Sequence, residues 1–176
     1  MFHASSSWEV VVTYSPSSWP VHKPIPGGGV HAHNVKLAIK TRTEVLSRVP
    51  LFAGLSKRQL QDIARGSISR SWPVDCCVVP EDTKSQVCYV IAEGTADVRR
   101  HGRTIAKLGP GDFFGEIALL DPGPRSATVT TTSEMVSVEL SRQSFLAVAG
   151  HNPAILLRML EALAKRLRDT TQQLPA

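Results

Sequence analysis

Residues 109–129 read GPGDFFGEIALLDPGPRSATV, and the rest of the chain takes its meaning from this stretch. A pocket for a phosphate has three needs. Glycines let backbone amides approach the anion, a short helix aims its positive end at it, and an arginine makes a bidentate, charge-assisted contact. Gly111 and Gly115 flank Phe113-Phe114, and Glu116 to Leu120 fit one helical turn. Asp121-Pro122-Gly123-Pro124 stops that turn and presents Arg125. Glu116 is the unexpected member, because a carboxylate beside a phosphate is repulsive. It makes sense if it accepts a hydrogen bond from a sugar hydroxyl while Arg125 neutralises the phosphate. A pocket that takes both groups is a nucleotide pocket.

Around this stretch, from Ser67 to Leu140, the chain reads as short β-branched runs between turn residues. Cys76 to Val79, Val87 to Ala92, Ala96 to Arg99, Thr104 to Leu108, Ala127 to Thr131 and Met135 to Leu140 are predicted strands. Many short strands at such intervals indicate a sandwich or barrel. Glu93-Gly94 predicts a hairpin turn. Upstream, a helix is predicted from Asn34 to Ser47, broken by Val49-Pro50-Leu51-Phe52. A second helix starts at Ser56, where Ser56-Lys57-Arg58-Gln59 has the form of a capping box, and Gly66 ends it. Downstream, Ser141 caps a short helix through Ala149, and Asn152-Pro153 opens a last helix to about Thr171. Within that helix Leu156, Leu160, Leu163 and Leu167 repeat at four-three-four spacing, a heptad seam. A 3.5-residue period suits pairing with the same helix of a second chain better than packing on a globular face. Ile155 and Met159, beside the seam, would then face the chain's own core.

The chain has 176 residues with Lys+Arg 20 against Asp+Glu 15, a formal net charge of +5. That excess suits an anionic ligand, but it is common on ordinary domains, and no Lys/Arg run is dense enough for a nucleic-acid arm. Residues 1–33 are rich in Ser, Pro and Gly and are expected to be a disordered tail, because they cannot bury enough apolar surface to offset their ordering entropy. His31-Ala32-His33 lacks a nearby carboxylate and reads as linker histidines rather than a metal site. Cys76, Cys77 and Cys88 form neither a disulfide framework nor a C-x-x-C pair, which predicts a reducing, cytoplasmic setting and no zinc. No leader peptide is expected, and no apolar stretch approaches the ~20 residues of a membrane span.

The run Phe114-Gly115-Glu116-Ile117-Ala118-Leu119 with Pro124-Arg125-Ser126-Ala127-Thr128-Val129 closely resembles the phosphate-binding cassette of cyclic nucleotide-binding domains. The resemblance extends from about Val49 to Thr171. It implies a mainly β fold with flanking helices: an eight-stranded, jelly-roll-like β-roll with an N-terminal helical entry and two C-terminal helices. The domain would occupy residues 34–176, with the cassette at 111–129 and a dimer helix at 153–171. By resemblance, Glu116 accepts the ribose 2′-hydroxyl and Arg125 binds the exocyclic oxygens of the cyclic phosphate. Backbone N–H groups of Ala118 and Ala127 also reach that phosphate, Gly115 permits the approach, and Ile117 lies in the same turn. Ser126, where cyclic GMP binders of the family often have Thr, favours cyclic AMP, with cyclic GMP the alternative. Thr170 and Thr171 fall where the bacterial catabolite activator places two hydroxyls that contact adenine.

Two departures from the family pattern stand out. The turn from Pro80 to Val87 reads PEDTKSQV where the family usually has glycines and an aspartate, which leaves its conformation open. The chain stops at Ala176, so no helix-turn-helix module is expected. The implied function is a cyclic nucleotide sensor that dimerises through its last helix and regulates an effector protein. Its alternatives are a regulatory fragment of a larger enzyme, channel or transcription factor, or a family member that no longer binds ligand. Catalysis is not expected: the His/carboxylate set of a jelly-roll oxygenase is missing, with His101 the only histidine among the strands.

Overall fold

A computed structural model of the chain describes residues 32–172, so most of the expected tail lies outside the described residues. Among the described residues, nine antiparallel strands build two sheets, with helices at both ends of the chain order. The five-stranded sheet runs β1 (His33–Asn34), β2 (Ser67–Trp72), β9 (Met135–Ser141), β4 (Val87–Glu93) and β7 (Phe113–Phe114). The four-stranded sheet runs β3 (Cys77–Val79), β8 (Thr128–Thr131), β5 (Ala96–Arg100) and β6 (Arg103–Leu108). The mainly β roll with flanking helices is the architecture expected.

The period of two in each strand decides which side chains meet. Trp72, Val87, Tyr89, Ile91, Phe114 and Met135 of the larger sheet join Val79, Ala96 and Val129 of the smaller one in a single buried cluster. Cys88, Val90, Val138 and Leu140 point the other way, into a second cluster with the helices. β4 is buried on both faces, which is why VCYVIAE reads as a nearly continuous apolar run. β6 ends the smaller sheet, and its first five residues are exposed.

The helices cover the outer face of the larger sheet. α1 (Ile39–Ser47) supplies Leu46, and α2 (Lys57–Arg65) supplies Leu60 and Ile63. The capping box forms as expected: the Ser56 N–H donates to Gln59 Oε1 at 2.6 Å, and the Gln59 N–H to Ser56 Oγ at 3.3 Å. α3 (Arg142–Gly150) is capped by Ser141 Oγ, which accepts the Ser144 N–H at 3.1 Å. α4 (Pro153–Gln172) buries Ile155 and Met159 in the helical cluster, each worth about 1.5–3 kcal/mol.

Two expectations are corrected. The helix predicted from Asn34 starts only at Ile39, because residues 33–37 pair with the edge of β2 instead. There the Val35 N–H donates to Ser69 O at 3.1 Å and the Leu37 N–H to Ser69 Oγ at 3.0 Å. Glu93-Gly94 is not a hairpin turn. β4 and β5 lie in different sheets, and Gly94 rounds the corner between them at φ +84°. A Cβ there would stand 2.1 Å from Glu134 O, so the corner admits only glycine. The tight hairpin is His101-Gly102 between β5 and β6, with φ +49° and +76°. Positive φ at both central residues is the geometry that two-residue hairpins prefer.

Candidate functional site

β7 delivers the chain into the candidate cassette, and Gly115 turns it at φ +73°. Glu116–Leu119 then form a single 3₁₀ turn, as the sequence suggested. Glu116 and Arg125 are both buried, at 4% and 6% exposure, although each carries a charge. Charged groups are rarely this buried without partners. The Arg125 guanidinium donates from Nη2 to Val87 O at 2.6 Å and from Nη1 to Gly115 O at 3.1 Å. Its Nε is buried with no hydrogen-bond partner. Burial pushes the guanidinium below the ordinary arginine value, and the Glu116 carboxylate is among the groups that act in the opposite direction. Arginine nevertheless stays charged at neutral pH.

The main chain of Arg125 is held as firmly as its side chain. Its N–H donates to Thr83 O at 2.8 Å, and its carbonyl accepts the Asp82 N–H at 2.9 Å. Lys84 and Pro124 form an isolated bridge beside them. The turn whose conformation the sequence left open is therefore the backing of the arginine. Asp82 takes φ +62° there, in a turn where the family usually has glycines. Short polar side chains tolerate that left-handed conformation better than most. Sequence reasoning missed Asp82 and Thr83 as supports.

The other expected site residues are placed as follows. Ile117 is half exposed on the 3₁₀ turn, and Ser126 is exposed just beyond Arg125. Ala127 is half-buried and leads into β8. The Ala118 N–H, expected to face a phosphate, donates to Gly115 O at 3.2 Å within its own turn. Gly115 O thus receives both this N–H and Arg125. Thr170 and Thr171 stand in α4, but their side chains lie outside the described residues. The side chain of Leu167 does too. Of the remaining seam, Leu156 and Leu163 pack partly against the chain's own core, whereas Leu160 is 54% exposed; Leu157, which is not a seam position, is 59% exposed.

The fold and site together define a β-roll in which a buried acid on the 3₁₀ turn is followed by a buried arginine that reaches back to the glycine before that turn. The model of the family described as "Cyclic nucleotide-binding domain" matches residues 69–152. The N-terminal domain of a Streptomyces coelicolor transcriptional regulator is 30% identical, with a TM-score of 0.65 over 75% of this chain and 96% of that one. The chain belongs to the cyclic nucleotide-binding domain family. It is 29% identical, over 74% of its length, to a CRP-like cAMP-activated global transcriptional regulator of Mycobacterium tuberculosis, and spans 61% of that relative. The regulatory domain of Toxoplasma gondii PKA, solved with cAMP, is 29% identical, with a TM-score of 0.59 over 62% of this chain and 44% of that one. Among the described residues, no helix is long and apolar enough to cross a membrane.

Proposed function

We propose that this domain is a sensor that binds cyclic AMP and passes the binding event to a partner through α3 and α4. One observation carries the reading. The cassette buries both Glu116 and Arg125, with the guanidinium anchored by two carbonyls and its Nε lacking a partner. An anionic phosphate would satisfy the cation, and a ribose hydroxyl would donate to the acid. Gly115, Ile117 and Ala118 around the 3₁₀ turn, and Ser126 and Ala127 after Arg125, would contact the ligand as well, and Thr170 and Thr171 would reach adenine from α4. Ser126 favours cyclic AMP over cyclic GMP. The domain performs no chemistry on the ligand.

The route outward is short. Arg142, the first residue of α3, donates from Nη2 to Leu120 O at the end of the 3₁₀ turn, at 3.1 Å. A ligand that favours one arrangement of the cassette would shift the population of α3 and α4 arrangements with it. The exposed Leu157 and Leu160 of α4 would pair with a second copy of the chain. The effector is a separate protein or a further part of a longer one. Three free thiols suit a reducing cytoplasm.

The test is a thermal shift with cyclic AMP, cyclic GMP and plain AMP. A ligand that binds only the folded state raises the midpoint, and cyclic AMP should raise it most. If none does so at millimolar concentration, the domain has lost the family's binding. Arg125→Ala should weaken binding by ~2–5 kcal/mol, as removal of one partner from a buried charge contact does. An unchanged affinity by calorimetry would sink the role given to Arg125.

A further inference from the structure

The inner face of the larger sheet carries a row of aromatic rings beneath Arg125. The register sets Tyr89 of β4 opposite Glu139 of β9 on one side and Phe114 of β7 on the other. The Tyr89 and Phe114 rings stack, with centroids 4.9 Å apart and planes 10° from parallel. Trp72 meets Tyr89 edge-on at 6.1 Å, and its indole N–H donates to Ser137 Oγ at 2.8 Å. Tyr89 is thus clamped from two directions. The Arg125 Cζ lies 5.9 Å from the Tyr89 ring centroid. Val87, whose carbonyl holds Nη2, precedes Tyr89 by two residues on the same strand, and Gly115, whose carbonyl holds Nη1, follows Phe114.

We propose that Tyr89 is a positioning residue for the ligand: its clamped ring is the floor that sets the height and plane of the Arg125 guanidinium. The proposal rests on the reading of Arg125 as the phosphate contact. Arginine has many rotamers, and fixing it before the ligand arrives removes that ordering cost from binding. A cation over an aromatic face within about 6 Å is attracted to it, more strongly when both are out of water. Two carbonyls and a neutral ring anchor the cation and do not themselves cancel its charge. Burial also raises the Tyr89 phenol far above its ordinary range, so the ring stays neutral. A second pair on the same face shows the contrast. Arg70 lies over Trp72 at 5.6 Å, but Glu139 neutralises it directly at 2.8 Å. That cation is spent inside the fold.

The test uses Tyr89→Leu, which keeps an apolar side chain and removes the ring, and Tyr89→Phe, which restores the ring alone. Calorimetry with cyclic AMP should show about a three- to thirty-fold loss for Tyr89→Leu, the equivalent of a desolvated cation–π contact. Tyr89→Phe should return the affinity to within about threefold of the parent. Proton NMR gives a readout that loosened packing alone would not produce. The Arg125 Nε–H resonance, identified by its loss in Arg125→Lys, should be displaced upfield by the ring in the parent protein and move back in Tyr89→Leu. A folded Tyr89→Leu with parental affinity overturns the proposal, as does a Tyr89→Phe that binds no better than Tyr89→Leu. If Tyr89→Leu fails to fold, an undisplaced Arg125 resonance in the parent overturns it, and a displaced one supports it. A parent that binds no cyclic nucleotide sinks the reading of the site, while the resonance still decides whether Tyr89 seats the arginine.

Discussion

A Cβ added at Gly115 would stand 2.3 Å from Arg125 Nη1 and 3.0 Å from Val87 O, at a φ of +73°. The backbone penalty for a left-handed alanine is about 1–2 kcal/mol. The larger consequence is that the guanidinium must leave its seat. Gly115→Ala is therefore expected to lower cyclic nucleotide affinity at least about tenfold while the fold survives. Calorimetry beside a thermal melt checks this, and an unaltered Kd would refute the steric account. Gly115, Glu116 and Arg125 stand out in the sequence because the roles proposed for them each demand a residue type: no side chain, a carboxylate, a planar cation. Asp82 and Thr83 were not. They hold Arg125 through main-chain groups, which every residue other than proline supplies alike, so the contact leaves no signature in residue identity.

Elements were legible where their periods and caps are local. The Ser56 capping box, the Ser141 cap and the proline that opens α4 are all where the sequence put them. Turn residues say that a chain changes direction, but not which strand it meets next. Hence Glu93-Gly94 was read as a hairpin, although it is a corner between sheets. β2 went unpredicted because SISRSW buries Ser67 and Ser69 and exposes Ile68, the reverse of a polar-out, apolar-in alternation, while β9 completes its ladder. Gly66 is also more than a helix stop: a Cβ there would meet Ser144 Cβ at 3.1 Å, so it lets α3 approach α2. At this scale Arg142 is the element-to-element strut. Arg142→Ala should leave cyclic AMP affinity within about threefold and shrink the ligand-induced change in α3 and α4. Amide hydrogen exchange with and without ligand measures it. A variant whose helices respond like the parent's would show that the strut carries no signal.

Over the whole molecule, one helix face awaits explanation. Ile155 and Met159 face the core as the heptad reading required, but Leu156 and Leu163 also turn partly toward it. The remaining exposed apolar surface centres on Leu157 and Leu160. Leu160→Glu would place a charge in any pairing of two such faces. Sedimentation equilibrium should find a dimer for the parent and a monomer for the variant, with the thermal midpoint little changed. A parent that sediments as a monomer at all concentrations would end the case for pairing. The smaller sheet has a different exposed border. β6 has no strand beyond it among the described residues, and Arg103 and Lys107 stand on it, with Arg99 and Arg100 on β5 beside it. An open edge invites strands from neighbouring molecules, and charge is the common deterrent. That deterrent reaches about 10 Å in 0.1 M salt and about 3 Å in 1 M. The colloidal behaviour of this protein should thus depend on the buffer it is kept in: concentrated stocks are expected to stay clear in dilute salt and to turn turbid as added salt screens the like-charge repulsion between the sheet borders of neighbouring molecules.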